Sequence, residues 1–196
     1  MLKLKRNLIA ISLIAAASLS ANTFADDYVI DTKNAHASIN FAVKHLGYSL
    51  LTGRFDNFEG EFSYDPAKVE ASKISVTIDT SSVNTNHAER DKHIRSADFL
   101  TVDKYPKATF VSTKVIPNKT DKNAFGLVGD FTLNGVTKSI TINVTKIGEG
   151  KDPWGGYRAG FSGNTEIQMK DFNIKMDLGP ASQTVKLQLE VEGIKK

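Results

Sequence analysis

AFGLVGDFTLNGVTKSITINVTK, residues 124–146, reads as two β-strands and the turn between them. Asn134-Gly135 accepts positive φ at both central positions of a two-residue type I′ turn, whose twist matches that of paired strands. The segment therefore predicts an antiparallel hairpin of Ala124–Leu133 with Val136–Lys146. Period-two alternation sets Phe131, Ile140 and Ile142 on one face. A strand with one apolar face needs a cover on that side only, and the flanking chain repeats the pattern.

Upstream, Tyr28–Asp31 is a short strand, and Ala37–Leu46 sets Ile39, Phe41 and Val43 against Ser38, Asn40 and Lys44. Phe55–Tyr64 alternates Phe58, Phe62 and Tyr64 with Glu59, Glu61 and Ser63. Phe55 has the wrong parity for that face, which predicts a bulge near Asp56-Asn57. Lys73–Asp79 presents Ile74, Val76 and Ile78. In Ala108–Ile116 the parity is ambiguous, Phe110 and Ile116 competing with Val111 and Val115. Downstream, Arg158–Met169 follows the loop DPWGGY and carries Phe161. The last strand alternates Val185, Leu187, Leu189 and Val191 with Lys186, Gln188, Glu190 and Glu192. Roughly eight one-sided antiparallel strands fit a sandwich or an up-and-down barrel. Their length and hairpin-like spacing favour the barrel, which also removes exposed edges. The fold class expected is mainly β, an eight-stranded antiparallel barrel whose interior either fills with side chains or holds one small apolar ligand.

One stretch breaks the rhythm. In NHAERDKHIRSADFLTVDKYP, residues 86–106, eight of the twelve residues His87–Asp98 are charged or histidine. Such density suits an active site, and Arg90, Asp91 and His93 are the residues that acid–base chemistry would use. Helix-surface pairing explains it more simply. Asn86 is the expected N-cap with Glu89 at N3. Asp91 precedes Arg95 by four and Glu89 precedes His93 by four, and Ile94, Ala97, Phe99 and Leu100 form a stripe for docking on the barrel. A short helical segment at about 87–100 follows, acting as a wall rather than a catalyst. His36 and His45 are nine apart and face opposite sides of a strand. His87 and His93 are six apart and do not share a helix face; a cross-element pair such as His45 with His93 stays open, and no metal set and no catalytic set is assigned. No nucleophile elbow, phosphate loop or dinucleotide fingerprint occurs.

Residues 1–25 read as an export signal: Lys3, Lys5 and Arg6, then apolar Leu8–Leu19, then Thr23-Phe24-Ala25 as a small-x-small cleavage site. Removing 25 of 196 residues leaves 171, expected as a single domain over 26–196 in the periplasm. The signal holds three of the 25 basic residues and no acid. The mature chain therefore balances 22 against 22, which removes any general case for nucleic acid. The apolar run is too short to span a bilayer, and no stable membrane insertion of the mature chain is expected. Without cysteine, the fold rests on its core and its backbone ladder.

HASINFAVKHLG at 36–47, GRFDNFEGEFSYDP at 53–66 and IDTSSVNTNHAERDKHIRSADFL at 78–100 resemble the YceI-like family of bacterial exported proteins. YPKATFVST at 105–113, GDFTLNGVTK at 129–138 and RAGFSGNTEI at 158–167 continue the match along the whole mature chain. The resemblance implies an extended lipocalin-like barrel with a long apolar cavity for polyisoprenoid or quinone-like amphiphiles, with no enzymatic activity and no further cofactor. The family's Arg-Asp-x-His motif falls on Arg90, Asp91 and His93, and its Tyr-Pro on Tyr105-Pro106. Thr101 and Leu100 depart from it, where relatives often carry an acid and a second Phe. By strand parity, the apolar ligand would lie against Phe41, Val43, Phe58, Phe62, Val76, Ile78, Phe131, Ile140, Ile142, Phe161, Leu187 and Leu189. The expected role is a periplasmic carrier of such a lipid, with a homodimer open to it. The alternatives are a filled barrel acting as a stress or interaction protein, or an enzyme using Arg90, Asp91 and His93.

Overall fold

The computed structural model describes residues 25–196; the expected export signal lies outside the described residues except for Ala25. The strands are β1 (Asp26–Ile30), β2 (Ser38–His45), β3 (Ser49–Phe55), β4 (Phe58–Tyr64), β5 (Lys73–Asp79), β6 (Val83–Asn84), β7 (Lys107–Pro117), β8 (Ala124–Leu133), β9 (Val136–Lys151), β10 (Tyr157–Gln168) and β11 (Thr184–Lys195). The helix α1 (Ala88–Arg95) lies between β6 and β7.

These eleven strands make an eight-stranded barrel because three staves are broken in the middle. β11 pairs with β2 along Val185–Glu190 and with β1 at Gly193–Lys195, so β1 and β2 are two halves of one stave. In the same way β3 continues into β4, and β5 continues through Thr80–Ser82 into β6. The ring then closes as an antiparallel meander: β1/β2, β3/β4, β5/β6, β7, β8, β9, β10, β11 and back to β1. The expected barrel is therefore present, and its short helix with it.

The break at Asp56-Asn57 falls where the bulge was expected. It lets Phe55 and Phe58 both face the interior, and the freed backbone is bonded locally, Asp56 N–H to the Ser82 carbonyl and Asp79 N–H to the Asn57 carbonyl. A second irregularity resolves the parity of β7. The register shifts between Ser112 and Lys114, so Phe110 and Val115 both turn inward while Val111 and Ile116 face solvent. Neither competing pair was right as a whole, because one inserted residue inverts the alternation midway. Asn134 and Gly135 take φ of 49° and 75°, as the hairpin requires.

The two ends of the barrel differ. At one end Tyr28 stacks on Phe62 (centroids 4.8 Å apart), and Phe161 meets Phe62, Tyr64 and Phe125 edge to face at 5.6, 5.1 and 6.3 Å. These rings plug the interior. At the other end, β6 stops after two residues and β7 does not begin until Lys107, so the staves splay and α1 with its following loop fills the gap.

Candidate functional site

The interior holds two cavities that meet at a neck formed by Phe55, Ile78, Phe131 and Leu187. The inner cavity is small, about 140 Å³, and runs towards the aromatic plug past Phe58, Phe62, Val76, Ile140, Ile142, Phe161 and Leu189. Ser63, Ser72 and Lys73 also border it, but among the described residues no polar atom is exposed on its wall. The outer cavity, about 740 Å³, opens at the splayed end and is lined by Phe41 and Val43 together with Ile94, Phe99 and Leu100. All twelve residues chosen by strand parity thus line one cavity or the other.

Parity reasoning missed other wall residues. Phe110 and Phe55 were lost to the bulges. Met169, Ile174 and Leu178 come from the connection between β10 and β11, which has no alternation to read. The charged and titratable residues on the outer cavity are Lys44, His45, Arg90 and His93; among the described residues no acid lines it.

The polar stretch does different work from that expected. The N-cap is His87, whose Nδ1 accepts from Arg90 N–H at 3.2 Å, while Asn86 sits one residue earlier with φ 60°. Asp91 is only 8% exposed and does not pair with Arg95. Its carboxylate accepts from Thr85 N–H at 2.8 Å and from the Thr85 hydroxyl at 2.5 Å. Arg90 donates to the Thr85 hydroxyl at 2.8 Å and to the Thr85 carbonyl at 2.7 Å. Thr85 stands one residue past β6, where no strand satisfies its backbone. Two helix side chains supply those bonds instead, as buried backbone groups require. His93 turns to Asp98 at 3.1 Å rather than to Glu89. Ile94, Phe99 and Leu100 pack on the barrel as expected, but Ala97 is exposed, because the helix ends at Arg95.

Asn134 ties this wall together. Its Nδ2 donates to the carbonyls of Phe99, Phe172 and Asn173, each at 3.1 Å, so one turn residue of the β8–β9 hairpin holds both flaps bordering the mouth.

A second polar cluster, which the sequence pattern did not reveal, closes the plugged end outside the lumen. Arg158 donates to Asp31 at 2.8 Å, Asp152 at 2.9 Å and Glu192 at 2.5 Å, and His36 Nδ1 lies 3.0 Å from Asp31. Burial alone would push the Asp31 carboxyl up, but hydrogen bonds from Arg158, then Asn34 and His36, hold it well below the usual carboxylate range. Asp31, His36 and Glu192 are close enough to share a metal ion. The Arg158 guanidinium already bridges both of these carboxylates, so the donor set is that of an ion-pair network.

A closed antiparallel barrel, plugged at one end and open at the other around an apolar lumen, defines a lipocalin-like barrel. Residues 28–193 match the model of the YceI-like domain, and the chain belongs to the YceI-like family. A UPF0312 protein of Shewanella denitrificans is 58% identical over 193 residues, covering 98% of this chain and all of that protein. Among solved structures, the Campylobacter jejuni YceI protein is 34% identical with a TM-score of 0.70, over 79% of this chain and 90% of that one. A polyisoprenoid binding domain from Saccharophagus degradans shares the fold, with a TM-score of 0.61 at 18% identity over 86% of this chain and 98% of that one.

Proposed function

We propose that the protein is a periplasmic carrier that holds the tail of a long-chain isoprenoid, or a similar amphiphilic lipid, in the barrel and its head group at the mouth. The observation that carries the reading is the gradient of the lumen: a wall without an exposed polar atom near the plug, and Lys44, His45, Arg90 and His93 around the opening. An apolar tail is favoured inside by about 25 cal/mol per Å² buried, and the cations and ring nitrogens give a polar head somewhere to stay hydrated or bonded. The polyisoprenoid binding of the Saccharophagus domain and the signal-like first 25 residues support the same reading. No catalytic step is assigned, since Arg90 and Asp91 are engaged with Thr85.

The small volume of the inner cavity favours a second reading, a barrel filled by its own side chains that works through its surface. Organic extraction of the purified mature protein, with native mass spectrometry, separates the two. The carrier yields a co-purifying amphiphile in near-stoichiometric amount. Apo protein alone, with no uptake of an added long-chain quinone or prenol, refutes the carrier.

A further inference from the structure

The connection between β2 and β3 repeats the geometry of the Asn134-Gly135 turn with unusual residues. Leu46 and Gly47 take φ of 52° and 85°, and Tyr48 N–H bonds back to the His45 carbonyl at 2.9 Å. Where the other hairpin uses asparagine, this one places a leucine in the left-handed region, which disfavours bulky side chains. That leucine is 54% exposed, and its neighbours Tyr48 and Leu50 are 88% and 60% exposed. All seven residues Lys44–Leu50 are exposed. The tip thus combines backbone strain with apolar exposure; Leu46 N–H donates to the buried Ser182 hydroxyl at 3.2 Å, a backbone bond that makes no use of the leucine side chain.

Two further features define what would cover it. From Phe41 to Arg54 the chain carries Lys44, His45 and Arg54 and no acid, within a mature chain whose charges balance. Leu50 also pairs with Lys44 across the hairpin, an apolar side chain beside an ammonium on a flexible stem. Three apolar side chains on one convex tip fall short of the roughly 800 Å² that a stable protein partner buries on each side. They suit the boundary between lipid head groups and acyl chains, where tyrosine and lysine anchor well. His45 and Leu50 also line the outer cavity, so whatever covers the tip faces the mouth.

We infer that the β2–β3 hairpin is a membrane-docking tip, Leu46, Tyr48 and Leu50 entering an anionic bilayer surface beside Lys44 and His45 so that the barrel mouth faces its lipid source. This rests on the carrier reading. Co-flotation of the mature protein with vesicles of phosphatidylethanolamine, with and without phosphatidylglycerol, tests it, with bound lipid counted by native mass spectrometry on the same samples. The wild type floats with the anionic vesicles and is released by salt. Leu50→Ser lowers its partition roughly tenfold. Leu46→Asn lowers partition too while leaving the urea midpoint unchanged or higher, since asparagine suits the left-handed turn. A merely structural leucine would move both together. Trp154→Ser, removing the 78%-exposed ring at the plugged end, leaves flotation unchanged. Lipid-loaded protein that ignores anionic vesicles overturns the docking tip and leaves the carrier standing. Loss of flotation in Trp154→Ser, or a self-association abolished by Leu50→Ser without any vesicle binding, also overturns it.

Discussion

Replacing Asn134 tests whether one amide organises the mouth. Its Nδ2 has two protons for three carbonyls, all at 3.1 Å. Its Oδ1 is buried without a donor among the described residues, and flipping the amide would set an oxygen against three oxygens. Asn134→Gly keeps the φ of 49° at no steric penalty and removes only the side chain. Two lost bonds at about 0.5–1.5 kcal/mol each predict a destabilisation of about 1–3 kcal/mol. With a urea m-value of about 2 kcal/mol/M, the midpoint falls by roughly 0.5–1.5 M. Asn134→Asp is the sharper probe. A carboxylate facing three carbonyls in a 3%-exposed site adds a desolvation penalty of several kcal/mol. The folded state then raises the new group's pKa above its unfolded value. The new group's own contribution is therefore fully present below its unfolded pKa, where the protonated acid donates one bond, and is lost as pH rises through the folded pKa. Urea titrations of both variants across pH measure this. Asn134→Asp matching Asn134→Gly at neutral pH would refute the role assigned to the three carbonyls.

Further expectations concern the lumen, the closure and the acid limb. Leu187→Trp at the neck should leave the barrel folded, as judged by circular dichroism, yet sharply reduce long-chain amphiphile in organic extracts; undiminished lipid would place the tail elsewhere. Gly193→Ala sets a new methyl 2.4 Å from the Phe62 ring and 3.0 Å from Tyr28 Cβ, where β11 closes on β1. That overpacking should cost about 1–3 kcal/mol in denaturant melts, and an unchanged midpoint would mean the plug is loose. Because Asp31 titrates below its unfolded value of about 3.9, its contribution is complete above that pH and fades as pH falls below it. Asp31→Asn should therefore lower stability at neutral pH and flatten the acid limb of a stability–pH curve. A limb of wild-type steepness would remove Arg158 and its partners from acid unfolding.

Alternation carried most of the fold. Leu187, Leu189 and Val191 follow the pleat of β11 without interruption, and Asn134-Gly135 states its own turn. Parity failed where the chain inserts a residue, as between Ser112 and Lys114, because a bulge leaves no mark on the types of its neighbours. The break after Phe55 was legible only because two phenylalanines of opposite parity stand close together. At the helix, local rules placed the cap one residue early and paired Asp91 with Arg95. The competing partner, Thr85, is close in sequence, but its need for bonds arises from a missing strand, which is a tertiary fact. The Arg158 network was out of reach for the same reason. Asp31 and Arg158 lie 127 residues apart and meet only once β1 and β10 both flank β11.

The aromatic plug around Phe161 has a consequence for size. A tube open at both ends lets a guest slide through and sets no limit on its length. Shut at one end, and holding a tail as proposed, it becomes a ruler with a fixed zero: the tail would be measured from Phe161 upward, and any surplus would protrude past Lys44 and Arg90. Shifting that zero by trimming Phe161 should therefore change which chain lengths fit before it changes which head groups are tolerated.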